Sequence, residues 1–484
     1  MNKFLKFAAV GFWALTSLTS CAKPDQTKAP KYVFYFILDG CGVNTVNGAE
    51  MYFSEINGEI GRTPTLMTQF PVVGVASTFS ANSGVTDSAA AGTALATGVK
   101  TYNGAIGVDN DTIPVYSIAD WAKESGKLVG VGTSVCINHA TPAAEYAHQY
   151  SRNLYYEIGL DLASSGFDFF GGSDFNQVMG LRGDKRSLYE IVADSGYVIA
   201  RGIEDYEAKK ASTDKMIFFQ RQEESDKDPF SLPYWIDHKE GQIAAPDVVS
   251  AQIDFLYTKD TKKNGFFVMN EIGGKIDYAC HPNDAATAFA EVATADSCVR
   301  VAYDFYLQHP DETLIVITAD HETGGLTVGN NRNGYKLRLQ LLQNQKCSDA
   351  AFTGKLQALR SETRNKVTWE QVKDALKENF GFFDKVELSE EEENQLKDIY
   401  MKSFVGKMEN EKNLYYENEP LTGAAVRMLD SKAAIGWTSG GHTAGLVPVY
   451  AVGVGSEKFM RHNDISEIPV TIAEIAGYKI QQRR

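Results

Sequence analysis

The stretch YVFYFILDG, residues 32–40, decides the fold. Its unbroken apolar run from Tyr32 to Leu38, rich in aromatic and β-branched side chains, reads as a strand buried on both faces. Asp39 then puts a carboxylate at the end of that strand. The same arrangement recurs. FFVMN (266–270) runs into Glu271, with Asp277 and His281 close behind, and TLIVIT (313–318) runs into Asp320-His321. His442, in WTSGGHTAG (437–445), is read as standing at a fourth strand end. In open α/β sheets ligands bind beyond the carboxyl ends of the strands. Three aspartates, one glutamate and three histidines would be costly as scattered buried polar groups. Convergence on cations explains them.

The rest of the chain alternates in the same way. GKLVGVGTSV (126–135) and VPVYAVGVG (447–455) read as further buried strands. Residues 283–308 carry Phe289, Val292, Val299, Tyr303 and Tyr306 at helical spacing. Such alternation predicts an α/β fold with a mainly parallel central sheet and helices on both faces. Between Gly325 and Trp437 the composition changes. Two capping-box starts, Thr368-Trp-Glu-Gln371 and Ser389-Glu-Glu-Glu392, open helical patterns there. The segment at about 326–436 reads as an insertion covering the sheet, its two helices carrying no metal constellation.

At 484 residues, 43% hydrophobic and 23% charged, the composition is that of an ordinary globular protein. A formal net charge of −15, with no basic run, argues against a nucleic-acid surface. At the N-terminus Lys3 and Lys6 precede a short apolar core, FAAVGFWALTSL (7–18), too short to span a bilayer. Leu18-Thr19-Ser20-Cys21 then resembles a bacterial lipobox. This predicts a lipoprotein signal peptide over 1–20 and a polar tether over 21–30, with the catalytic domain over 31–484. The expected location is the periplasm or cell surface, membrane-anchored through lipid on Cys21. The remaining Cys41, Cys136, Cys280, Cys298 and Cys347 are odd in number and lack paired spacing, so they form no disulfide framework.

A second group of motifs carries chemistry. In GVTDSAAAGTALATG (84–98) the small residues suit a helix packed closely on a sheet, with Ser88 in its first turn, where free amides favour an anion. Alone, Thr86, Asp87 and Ser88 would do no more than cap that helix. Asn138-His139-Ala140-Thr141-Pro142 follows, and then Arg152, whose guanidinium fork suits phosphoryl oxygens.

Six motifs stand in one order: DG at 39–40, TDSAA at 86–90, HATPA at 139–143 with Arg152 beyond it, GGKID at 273–277 with His281, TADH at 318–321 and GGHTAG at 440–445. With them the chain resembles the alkaline phosphatase family. The resemblance implies hydrolysis of phosphate monoesters, with Ser88 the nucleophile that becomes phosphoserine and Arg152 the phosphate clamp. It implies two Zn2+ and one Mg2+. Asp277, His281 and His442 match one zinc site; Asp39, Asp320 and His321 match the second; Thr141 and Glu271 match the magnesium ligands, with His139 beside that ion. It also implies homodimers, an assembly common in the family.

One departure stands out. The family usually reads E-G-G-x-I-D, whereas here Ile272 lies between Glu271 and the glycines. One extra residue in a strand reverses the facing of everything beyond it unless a bulge absorbs it. A bulge is expected, keeping Glu271 turned to the cation. Two other readings stay open at this point. A phosphodiesterase of the same superfamily would share these ligands, and a non-catalytic lipoprotein could bind metal or phosphate. A sulfatase would show a Cys/Ser-x-Pro-x-Arg motif, which the chain lacks.

Overall fold

A computed structural model describes residues 29–330, 334–406, 408–412 and 414–481. The expected signal peptide and nearly all of the tether lie outside the described residues.

Ten strands form one sheet. In chain order the first eight are β1 (Tyr32–Ile37), β2 (Val72–Ser77), β3 (Leu128–Thr133), β4 (Phe169–Gly172), β5 (Val198–Arg201), β6 (Met216–Phe219), β7 (Phe266–Glu271) and β8 (Thr313–Thr318). β9 (Val447–Gly453) and β10 (His462–Asp464) complete it, in the order β10-β2-β9-β8-β1-β7-β3-β4-β6-β5. Every residue of β1 is buried, as an apolar strand needs when both faces are covered. It lies between β7 and β8, parallel to both, with Ile37 level with Glu271 on one side and Thr318 on the other. That register places Asp39, Glu271 and Asp320 along one edge. Helices pack in two groups: Ala245–Lys259 lies on β3 and β4 and against Ala285–Gln308, while Ile118–Glu124 lies on β3 and β7 and against Glu467–Ala476.

β9 alone runs antiparallel to its neighbours β2 and β8. This corrects the reading of His442. The residue precedes a strand rather than ending one, and itself pairs with Thr323 in a two-residue ladder. Because β9 is reversed, its amino end meets the carboxyl ends of the parallel strands, so His442 arrives at the same edge. Among the described residues of the 326–436 segment are four α-helices, Asp349–Glu362, Trp369–Phe380, Glu390–Tyr400 and Pro420–Ala433, and both capping boxes form as the sequence predicts. All five described cysteines are buried and unpaired.

Candidate active site

The side chains expected at the strand ends do meet. Ligand-type atoms of Asp39, Asp320 and His321 lie within 4.8 Å of one another, as do those of Asp277, His321 and His442, and those of Asp39, His139 and Glu271. Asp39 and His321 each belong to two groups, so the groups share residues and form one centre. His281, four residues after Asp277 around the end of the Gly274–Cys280 helix, places Nε2 3.3 Å from Asp277 Oδ2. The adjacent Asp320 and His321 can serve one centre because β8 ends at Thr318 and the chain is already turning. His321 Nε2 sits 3.3 Å from Asp320 Oδ2 and 3.4 Å from Asp39 Oδ1.

Ser88 begins the helix Ser88–Thr97, and Asp87 caps it by accepting from the Ala90 amide. The cap thus holds Ser88 at the start of the helix. Ser88 Oγ is 3.2 Å from His321 Nε2, at the edge of the carboxylate–imidazole centre. Arg152 is held at both prongs: Nη1 donates to Asp87 Oδ2 at 3.1 Å and Nη2 to His139 Nε2 at 3.2 Å. The helix packs so closely that a Cβ on Gly92 would lie 3.2 Å from the Thr141 backbone. Thr141 is thereby presented to the centre, and its hydroxyl donates to Asp39 Oδ2 at 3.3 Å.

The electrostatics call for cations. Burial first, then the mutual repulsion of Asp320, Asp277 and Glu271, pushes Asp39 well above the ordinary carboxylate range. Burial, then the repulsion of Asp277 and Glu271, likewise raises Asp320, and burial pushes Glu271 up to about 7. Asp277 is the exception: burial opposes ionisation, but His281, itself raised beside Asp277, holds its carboxyl well below the usual range. Burial lowers His321 and His442, and burial and Arg152 lower His139 to about 3, leaving neutral rings. Neutral imidazole is the ligand form. The backbone settles which nitrogen faces inward, because His281 Nδ1 meets Gly440 O at 2.7 Å and His442 Nδ1 meets Thr86 O at 2.9 Å. Buried acceptor atoms with no hydrogen-bond donor include Asp39 Oδ1, Glu271 Oε1, His281 Nε2, Asp320 Oδ2 and His442 Nε2. Unpartnered buried polar atoms are expensive singly. Their convergence, with hard carboxylate and hydroxyl oxygens on one side and imidazoles on the other, fits divalent metal ions.

Ile272 is absorbed without a bulge, contrary to expectation. The β7 ladder continues unbroken through Glu271, which is level with Ile37 and Thr133. The extra residue falls in the turn between strand and helix, where no ladder constrains facing. Its amide donates to Ile37 O at 3.0 Å, and Gly273 then passes so close to β1 that a Cβ there would meet the Asp39 amide at 2.2 Å. The Glu271 carboxylate accepts from the Thr133 hydroxyl and turns inward.

Comparison with known proteins settles the family. The alkaline phosphatase profile matches residues 30–179 and 174–478. The chain belongs to the alkaline phosphatase family. Alkaline phosphatase 4 of Bacillus subtilis is 31% identical, with 95% of this chain and 93% of that one covered, and alkaline phosphatase 3 of the same organism is 29% identical over 99% and 98%. The solved cold-active alkaline phosphatase of Shewanella sp. superposes with a TM-score of 0.75 at 28% identity, covering 92% of this chain and 99% of that one. This alkaline phosphatase is accordingly a metal-dependent enzyme that hydrolyses phosphate monoesters.

Sequence reasoning missed several groups around the centre of this phosphatase. Asp87 orients Arg152 as well as capping the helix, and the Thr323 hydroxyl donates to Asp277 Oδ1. Tyr415, from the segment read only as a cover, donates to Asp277 Oδ2 at 2.8 Å. A polar residue two positions beyond TADH was the only available signal for Thr323, and nothing local marked Tyr415.

Proposed function

We propose that the phosphatase works through a phosphoserine on Ser88 in a centre holding two zinc ions and one magnesium ion. The observation that carries this reading is Ser88 Oγ placed 3.2 Å from His321 and flanked by a doubly held guanidinium. Asp277, His281 and His442 would hold one zinc; Asp39, Asp320 and His321 the other; Asp39, Thr141 and Glu271, with His139 alongside, the magnesium. When bound, these ions supply charge neutralisation for the phosphoryl oxygens and lower the pKa of the attacking oxygens.

The chain's own groups do the rest. Arg152 binds two non-bridging oxygens of the ester through its fork, pre-oriented by Asp87 and His139. The first-turn amides of the Ser88–Thr97 helix point their dipoles at the same anion. Ser88 Oγ attacks phosphorus, the bond from phosphorus to the alcohol oxygen breaks, and the alcohol departs. Water then attacks the phosphoserine, the bond to Oγ breaks, and inorganic phosphate leaves with the serine restored. Positioning and charge neutralisation are what phosphoryl transfer chiefly needs.

Metal analysis of the purified enzyme is expected to return about two zincs and one magnesium per chain. The Ser88→Ala variant should keep that metal and lose multiple-turnover hydrolysis; wild-type turnover by the variant would remove Ser88 from the mechanism. A monoester and a diester with one leaving group, compared side by side, test the diesterase alternative. Lys3, Lys6, the apolar 7–18 core and Leu18-Thr19-Ser20-Cys21 support export as a lipoprotein anchored at the periplasmic or outer face of a membrane. Labelling with radioactive palmitate, abolished by Cys21→Ser, tests the anchor. The family resemblance supports a homodimer, which light scattering tests.

A further inference from the structure

The segments around the sheet supply every catalytic group assigned above. One side chain of the 326–436 segment reaches the same centre. Tyr415 lies between two short strands, Glu411–Lys412 and Glu417–Asn418, that pair antiparallel as a hairpin. Its hydroxyl donates to Asp277 Oδ2 at 2.8 Å. Its ring stacks on Tyr278 with centroids 3.8 Å apart and meets His281 edge-on at 5.3 Å. The His139 ring lies 6.0 Å away on another side. A single phenol thus contacts the surroundings of both ends of the metal centre.

The next residue also reaches Tyr278, its hydroxyl 3.4 Å from the Tyr278 carbonyl oxygen, and makes a closer contact beyond it. Tyr416 Oη donates to Asp349, at 3.0 Å from Oδ1 and 2.9 Å from Oδ2. Asp349 is wholly buried at the start of the Asp349–Glu362 helix and also accepts from Asn418 Nδ2 at 2.6 Å. The hairpin is therefore fastened twice, once to the segment's own core and once to the centre.

We propose that Tyr415 is a positioning residue for Asp277, held in place by the Tyr416–Asp349–Asn418 clasp. The proposal rests on the reading of Asp277 as a cation ligand. Asp277 Oδ1 accepts from Thr323 and faces His442, while Oδ2 accepts from Tyr415 and faces His281. With a donor on each oxygen the carboxylate plane is fixed. Without the phenol, Oδ2 keeps its burial and loses the donor that orients it. Groups that orient metal ligands from behind typically change affinity by about 10- to 100-fold when removed.

The test uses the full-length enzyme, with Zn2+ affinity measured by dialysis against graded zinc–chelator buffers. Kinetics on an aryl phosphate and urea unfolding of the metal-free form accompany it. Tyr415→Phe, which keeps the ring stack, should bind Zn2+ at least about 10-fold more weakly while the metal-free form unfolds at the wild-type midpoint. Tyr416→Phe should move Zn2+ affinity in the same direction by less; wild-type affinity there would remove the clasp from the proposal. Zn2+ affinity within twofold of wild type for Tyr415→Phe overturns the positioning role, and so does a loss of affinity matched by equal loss of metal-free stability. Asp277→Asn separates the two readings. If it binds Zn2+ like wild type, the ligand assignment itself fails; if it loses Zn2+ and Tyr415→Phe does not, only the positioning role fails.

Discussion

Replacing Gly40 with alanine probes how tightly the strand end is built against the metal centre. Gly40 has φ +75°, a conformation that side-chain-bearing residues adopt at a cost of about 1–2 kcal/mol. A Cβ there would lie 2.6 Å from Asp277 Cα and 2.7 Å from Asp277 Cβ. Those atoms belong to a buried helix and cannot swing away as a flexible side-chain tip would. Overpacking of this kind adds about 1–3 kcal/mol. Metal-free Gly40→Ala should therefore lose roughly 2–5 kcal/mol in urea unfolding, the sum of the two effects. Relief of the clash moves Asp277 or the end of β1, and both carry ligand-type side chains. The metal-loaded enzyme should lose more, since each tenfold weakening of metal binding removes a further ~1.4 kcal/mol at saturating metal. Unfolding of both forms, together with Zn2+ titration, measures the difference. A variant within about 0.5 kcal/mol of wild type in both forms, with unchanged Zn2+ affinity, would refute the close-packing reasoning.

Two further outcomes follow from other parts of the molecule. Arg152→Ala should raise the inhibition constant for inorganic phosphate about 100-fold, because two charge-assisted hydrogen bonds at about 1.5 kcal/mol each are lost; Arg152→Lys, with charge but no fork, should fall between. Competitive inhibition assays check this, and an unchanged constant for the alanine variant would place phosphate elsewhere. Glu145 is buried two residues past the Ala140–Ala143 helix, and burial pushes its carboxyl up to about 8. The folded protein therefore keeps a proton that the unfolded chain has released near pH 4.5, so Glu145 lowers stability progressively as pH rises from there to about 8. Glu145→Gln, which cannot ionise, should match wild type near pH 4 and be more stable above pH 8, by on the order of a few kcal/mol. Equal unfolding midpoints across that range would contradict the burial argument.

Strands and their ends were legible from residues 32–40, 266–271 and 313–321, because a strand buried on both faces has to be an apolar run and its last residue has to change character. The helix at Ala285–Gln308 and the two capping boxes were legible for the same local reason. Motif order along the chain was enough to place it in its family. Three features needed tertiary structure. The direction of β9 brings His442 in from the amino end of a strand, and strand direction is set by pairing partners far away in sequence. The fate of Ile272 depended on where β7 stops, which is decided by its register with β1 and β3. Tyr415 reaches Asp277 across 138 positions through a hairpin whose anchor is the buried carboxylate of Asp349. Local periodicity reports which face of an element is apolar, so the long buried strands, the Ala285–Gln308 helix and the reactive side chains could be read residue by residue. The short strands β5 and β6 and the Pro420–Ala433 helix left no comparable signal. Only the packing of distant segments decided which of the reactive side chains share a hydrogen bond.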